Sequence, residues 1–337
     1  MEDNAIKLIT IETVKDSFAK YFSKAKKETK HILLDRLFTN ERRIASCIAG
    51  LQGSLGSFWE ILAKKFLLAN NYEIIENDQL LRPAVLPVEL NNLIAQTKSH
   101  RENTGGGLES FKQGLNRIFR NENSPSRSNA LPMLKGKGTD IIFKINSKVY
   151  ICDVKTVQTN ANGGNSYNES VILWTAYYKY FNQTVDANNV KACLVFPYNS
   201  SDEHDDSGLW REFGSRLKPL TRQDILIGNE FWSLVSNNAN ALSSIIGGFE
   251  TISKDKGFIN FYKKVFKCKD QSQLTEFANQ VRLREILARY NISPKNSGQT
   301  QTLWQHIGKD CEFKSTIKKL FDGKVAICPI CKRPIRR

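Results

Sequence analysis

No run in this 337-residue sequence approaches the about eighteen apolar residues that would carry a chain across a bilayer. The opening residues MEDNAIKLIT lack the basic-then-apolar order of a secretory leader, so a cytoplasmic protein with no membrane partner is expected. Cysteine is sparse: seven residues, an odd number scattered along the chain, do not form a disulfide framework and suit a reducing compartment. Histidine is scarcer still, with four in all and no paired context, which leaves little for metal chemistry centred on imidazole. Gly105-Gly106-Gly107 is not followed by Gly-Lys-Ser/Thr at the proper distance, so it is no phosphate-cradling P-loop. Negative charge is also in deficit.

Forty-nine Lys and Arg stand against thirty-four Asp and Glu, a formal charge of +15 and a sequence pI near 9.4. Such an excess implies a polyanionic partner or an anionic surface. With no membrane span to support the second, nucleic acid is the expected partner. The length fits one large domain or two.

Along the chain, residues 1–40 read as an N-terminal helical segment. Phe18, Tyr21, Phe22, Ile32, Leu33 and Leu34 lie at roughly helical spacing, and Lys24, Lys26, Lys27 and Lys30 are read as a solvated face. Residues 41–235 form the expected core. Within it 41–70 is helical and interrupted by Gly50, Gly53 and Gly56, Tyr72–Ile75 is an edge strand, and 88–97 is helical. A basic insertion occupies about 98–137, where Lys98, Arg101, Lys112, Arg117, Arg120, Arg127, Lys135 and Lys137 face only three glutamates. It is expected to carry a short helix at about 108–120 and to touch phosphates. The loop from Gln158 to Tyr167 is polar, 168–183 is helical, 190–198 is a buried strand, and Asp224–Ile227 is another strand before a helix opening at Glu230. The acids around His204 allow a metal site but read more simply as a solvated loop. Residues 236–337 are helical and basic. The fold class is therefore α/β (α+β), a mixed central sheet flanked by helices, with a helical C-terminal region.

The tail carries Cys328 and Cys331 at the spacing of half a zinc knuckle. No second CxxC completes it; Cys311, His306 and Cys268 are the nearby candidates, and a structural Zn²⁺ is set against two free thiols.

The stretch from Gly136 to Thr156 concentrates the chemistry. Ile141–Ile145 and Val149–Val154 read as two strands joined by a turn at Asn146-Ser147. Into that apolar frame are set Asp140, Asp153 and Lys155. Residues two apart on a strand share a face, so Asp153 and Lys155 point the same way, and a hairpin brings Asp140 beside them. Two carboxylates and an ammonium at the edge of an apolar sheet are costly unless something pairs them. A divalent cation such as Mg²⁺ on the carboxylates is one such partner, and a lysine beside it would have a depressed pKa. Glu60, next to Trp59, is either a third carboxylate for that site or an exposed glutamate paired with Lys64 one turn on.

Gly138-Thr139-Asp140, the hairpin, and Asp153-Val154-Lys155 together resemble the PD-(D/E)xK nuclease signature in its Asp-for-Glu form, with Thr139 where that family usually has proline. The stretches RRIASCIAGLQGSLGSFWEILAK, NGGNSYNESVILWTAYYKYF and GNEFW further resemble type II restriction endonucleases of the TdeIII-like group, over most of 41–235. The resemblance implies a restriction-endonuclease-like core and a Mg²⁺-dependent, sequence-specific endonuclease of double-stranded DNA, dimeric and accompanied by a methyltransferase. It also brings a faint association with GGNCC-type sites. By position it makes Asp140 and Asp153 metal ligands, Lys155 the catalytic lysine and Glu60 an auxiliary acid; Gln158 matches a glutamine some relatives place near the site. A repair or recombination nuclease of the same fold and a non-catalytic DNA-binding protein are the alternatives.

Overall fold

In a computed structural model the chain is described at residues 1–22, 57–76, 80–120, 125–155, 163–199 and 217–260, and at four two-residue strands between Trp304 and Ile335. It divides into two units, residues 1–13 with 55–251 and residues 14–54 with 252–337. In the first unit the order is the start of α1 (Asp3–Phe22), a helix α2 over 57–69, β1 (Glu73–Ile75), β2 (Leu81–Pro83), α3 (Val88–Thr104) and α4 (Glu109–Ile118). There follow β3 (Ala130–Pro132), β4 (Ile141–Ile145), β5 (Lys148–Val154), α5 (Gly163–Phe181), β6 (Val190–Phe196), β7 (Ile225–Ile227), α6 (Asn229–Ser236) and α7 (Ala241–Lys254).

Five strands form the main sheet in the order β1-β4-β5-β6-β7. The first three run antiparallel, and β5, β6 and β7 run parallel. The sheet is thus mixed and flanked by helices, as the alternation of elements predicts. The β4–β5 hairpin turns on Asn146 and Ser147. Asn146 takes a left-handed φ of 55°, a conformation its short polar side chain tolerates better than most. Between β5 and β6 the chain crosses over through α5, the connection a parallel pair requires.

Alternation along the strands gives each face its layer. One face carries Ile142, Ile151, Ala192 and Leu194, packed with Leu90 of α3, Phe111 and Leu115 of α4, and Val171 and Trp174 of α5. Residues of the other parity, including Ile141, Phe143, Cys152, Cys193 and Val195, are equally buried. A second group of helices is knit by aromatic contacts: Phe66 and Trp59 of α2 meet Trp232 of α6, and Phe58 meets Phe249 of α7. Trp232 Nε1 donates to the carbonyl of Pro197 just past β6, at 2.7 Å, tying that group to the sheet. Each large apolar side chain so buried contributes about 1.5–3 kcal/mol. The run Val190–Phe196 is apolar at nearly every position because it has layers on both sides.

Two helices are longer than the sequence suggests. α3 continues from 97 to Thr104 and stops where Gly105 adopts φ 66°, its N–H returning to the Arg101 carbonyl at 2.8 Å. The first glycine of the triplet is a helix C-cap. α5 begins at Gly163 rather than 168, so the polar loop gives up its last residues to a helical turn. At Gly164 a Cβ would fall 2.0 Å from the Lys218 carbonyl, so the backbones approach closely there. The segment from 98 to 137 supplies core: Leu108, Phe111, Leu115 and Phe119 are buried. Arg101, counted by sequence among its phosphate-facing cations, is fully buried and paired with Asp224 at 2.5 Å. Burial likewise lowers the Lys112 pKa.

In the second unit Lys15 pairs with Asp255 at 2.7 Å and Phe18 packs edge-on against Phe258. Two antiparallel strand pairs are described, β8 (Trp304–Gln305) with β9 (Lys314–Ser315) and β10 (Ala326–Ile327) with β11 (Pro334–Ile335). No helix among the described residues is long and apolar enough to cross a membrane.

Candidate active site

The hairpin register decides which side chains meet. With Ile145 opposite Lys148 and Ile141 opposite Cys152, the next pair outward sets Asp140 against Asp153 on one face of the sheet. The approach to Asp140 is pinned to β5 by its own N–H, which donates to the Cys152 carbonyl at 3.0 Å, and by Thr139 Oγ1, which donates to the same oxygen at 2.6 Å. Thr139 therefore does by hydrogen bonding what a rigid residue does by restriction. Asp140 Oδ2 accepts the Val154 N–H at 2.7 Å, which turns its carboxylate toward β5.

Strand pairing with β6 continues one residue beyond Val154, because the Lys155 N–H donates to the Val195 carbonyl at 2.8 Å. Asp153 and Lys155 thus share a face, and their side chains close to 2.6 Å. The site lies at the carboxyl ends of the parallel strands β5 and β6, the end of an open α/β sheet at which ligands generally bind.

Electrostatics follow from this crowding. Burial, and then the hydrogen bond that the protonated group donates to neighbouring Asp140, push the Asp153 carboxyl up to about 7 against the lowering effect of Lys155. A carboxyl taken out of water and set against a second carboxylate ionises less readily than one in solvent. Burial works against the Lys155 ammonium, but the hydrogen bond and charge of Asp153 outweigh it and leave it above its usual range. The depressed lysine expected from the sequence belongs to a site with a metal on the carboxylates; without one, Asp153 sets the direction. Glu60, on α2, is raised first by burial and second by the charge of Asp140, which places it in the same electrostatic cluster. Lys64, one turn along α2, lowers it to a lesser degree.

The four residues singled out from sequence, Asp140, Asp153, Lys155 and Glu60, are accordingly brought into one neighbourhood. The donors are hard oxygens, and the two carboxyl groups face each other across the hairpin, so the residues fit Mg²⁺. Among the described residues no group of three His, Cys, Asp or Glu side chains closes into a metal-holding cluster. Two carboxylates suffice for Mg²⁺, which keeps several waters and takes its remaining ligands from a phosphate. Gln158, His204, Cys268, His306, Cys311, Cys328 and Cys331 lie outside the described residues.

Two features of the neighbourhood escaped the sequence reading. The Tyr167 ring, in the first turns of α5, faces Lys155 Nζ at 5.2 Å from its centroid. Lys137, counted among the phosphate-facing cations, is paired at the surface with α5: its Nζ donates to Glu169 Oε2 at 2.7 Å and to Ser166 Oγ at 3.1 Å. Trp174 Nε1 donates to the Lys137 carbonyl at 2.8 Å. The only local signal for either was an aromatic and an acid two residues apart in an otherwise small, polar run.

The raised carboxyl has a measurable consequence in the metal-free protein. A folded-state pKa of about 7 against 3.8 means the folded chain keeps a proton that the unfolded chain has released between those values. Stability contributed by that proton is full below about pH 4 and is lost as pH rises through 7. Urea unfolding of the parent and of Asp153→Asn across pH 4–8 should show the parent's extra decline over that interval. Parallel curves would refute the assignment.

A family model described as type II restriction endonuclease, HinfI, matches residues 2–253, three quarters of the chain. That span starts well before residue 41, includes the whole five-stranded sheet and all four candidate residues, and ends before the cysteine-bearing tail. It does not name the TdeIII-like group suggested by the sequence. A search of curated proteins finds no match.

Proposed function

The chain belongs to the HinfI family of type II restriction endonucleases, and from that premise we propose that it hydrolyses phosphodiester bonds at specific sequences in double-stranded DNA, with Mg²⁺ and a PD-(D/E)xK site. The observation that carries the reading is the meeting of Asp140, Asp153 and Lys155 on one face at the carboxyl end of β5.

In this reading Asp140 and Asp153 hold Mg²⁺, which when bound polarises the phosphate and acidifies a coordinated water. Asp140 reaches the site in a fixed orientation because its second role is to accept the Val154 N–H. Lys155, an ammonium at neutral pH, offers its charge to the phosphate oxygens as negative charge develops there and hydrogen-bonds the attacking water. Glu60, its carboxyl raised by burial and by Asp140, would act as the auxiliary acid: ionised, it can accept the proton the attacking water gives up, and protonated, it can return that proton to the leaving oxygen. The +15 chain charge supplies the long-range attraction to the duplex.

A two-fold dimer on a palindromic site and a companion methyltransferase belong to the same proposal, the first because a symmetric protein sets one such centre on each strand. So does a structural Zn²⁺ on Cys328 and Cys331 with Cys311 and His306. Its support is that both cysteines of the CxxC fall between β10 and β11, which pair.

Incubation with plasmid DNA and Mg²⁺, followed by sequencing of the ends, tests the function. Discrete fragments with a common end sequence are expected. A smear, or cutting only at junctions, would move the reading to a repair or recombination nuclease, and binding without hydrolysis would move it to a non-catalytic DNA-binding protein.

A further inference from the structure

We infer that Tyr167 is a positioning residue for the reaction, its ring face holding the Lys155 ammonium beside the two carboxylates. The inference rests on the nuclease reading above and extends it to a residue outside the hairpin.

Lys155 needs such a partner. Its backbone is fixed by the bond to Val195, but its ammonium sits at the end of four methylenes and the side chain is a quarter exposed. Among the described residues two groups hold the ammonium: Asp153 Oδ2 at 2.6 Å and the Tyr167 ring, 5.2 Å from Nζ to centroid. The first belongs to a carboxylate whose charge a divalent cation at the site would share. A ring face competes for no metal, and its quadrupole attracts an ammonium at this distance. Tyr167 can therefore keep Lys155 at the site in the state in which the carboxylate no longer does.

The ring is itself well placed to do this. Tyr167 packs against the core between the sheet and α5. Its neighbours Ser166 and Glu169 take the Lys137 ammonium, so the same two turns of α5 hold the segment leading into Asp140. Both arms of the catalytic hairpin are thereby referred to one rigid element, the condition for precise placement of a long side chain.

The test is single-turnover cleavage with Mg²⁺ by the parent and by Tyr167→Phe, Tyr167→Leu and Tyr167→Met, with DNA affinity measured separately in the absence of Mg²⁺. Tyr167→Phe keeps the ring and should cut within about twofold of the parent, while Leu and Met keep apolar bulk without a ring and should cut about tenfold slower. DNA affinity should be unchanged in all three. Leu and Met variants cutting at the parent rate would overturn the inference, as would a Phe variant as slow as Leu or a rate loss matched by lost affinity. A parent chain that cuts no DNA overturns the nuclease reading and this inference with it, so the two failures are told apart by the parent alone.

Discussion

Replacing Asp153 with asparagine, or Lys155 with alanine, should slow Mg²⁺-dependent cleavage by roughly a thousandfold or more, because metal and cation stabilisation of a phosphoryl transition state is worth several kcal/mol and each 1.4 kcal/mol is about tenfold. Asparagine preserves the shape of Asp153 and can still accept from Lys155, so the fold has little reason to change. It removes the charge that an oxygen-liganded cation needs. Lys155→Ala removes the cation that pairs with Asp153. Neither change should weaken DNA binding. Deleting a carboxylate from a surface that approaches phosphates leaves attraction equal or stronger, and Lys155 is one cation among forty-nine Lys and Arg. The measurement is therefore a pair, single-turnover rate and affinity, made on each variant. Parent-like rates in both would remove Asp153 and Lys155 from the chemistry and leave the family membership without an assigned centre. Loss of affinity in step with rate would instead make them binding residues.

The contrast between what was readable and what was not follows from the range of the interactions. The hairpin was readable because strand propensity, alternation and a two-residue turn are local. Once the turn is put at Asn146-Ser147, counting outward sets Asp140 against Asp153 without further information. The buried strand at 190–196 was readable for the same reason. Glu60 was readable only as a choice between two partners, and the structure finds it influenced by both, Asp140 more than Lys64. Tyr167 and Lys137 were not readable. Tyr167 meets Lys155 because α5 begins several residues early and crosses the sheet face, and Lys137 is paired because the same turns of α5 present Ser166 and Glu169 to it. A cation in a basic stretch looks alike in sequence whether it faces solvent or a carboxylate 123 residues away, which is the separation of Arg101 from Asp224.

That pair makes the second large prediction. Arg101 is fully buried in α3, and its side chain reaches Asp224, which precedes β7 and also accepts from the Thr221 N–H at 2.7 Å and Thr221 Oγ1 at 2.9 Å. Arg101→Ala leaves that carboxylate buried without its counter-charge, so it should lower the free energy of unfolding by about 3–5 kcal/mol. Arg101→Lys should recover little of this, since a flexible point charge cannot present the planar guanidinium donors. Substituting both partners, Arg101→Met with Asp224→Leu, removes the uncompensated charge and should recover part of the loss, less the two bonds Asp224 makes to Thr221. Urea unfolding of the single and double variants gives the coupling directly, and a single-variant loss under about 1 kcal/mol would show the pair to be dispensable. The same variants settle what the arginine is for. A phosphate-binding cation, when removed, lessens the dependence of DNA affinity on salt by about one counterion. A cation sealed against Asp224 has none to release, so Arg101→Met, measured below its unfolding transition, should bind DNA with the parent's salt slope while unfolding at markedly lower urea.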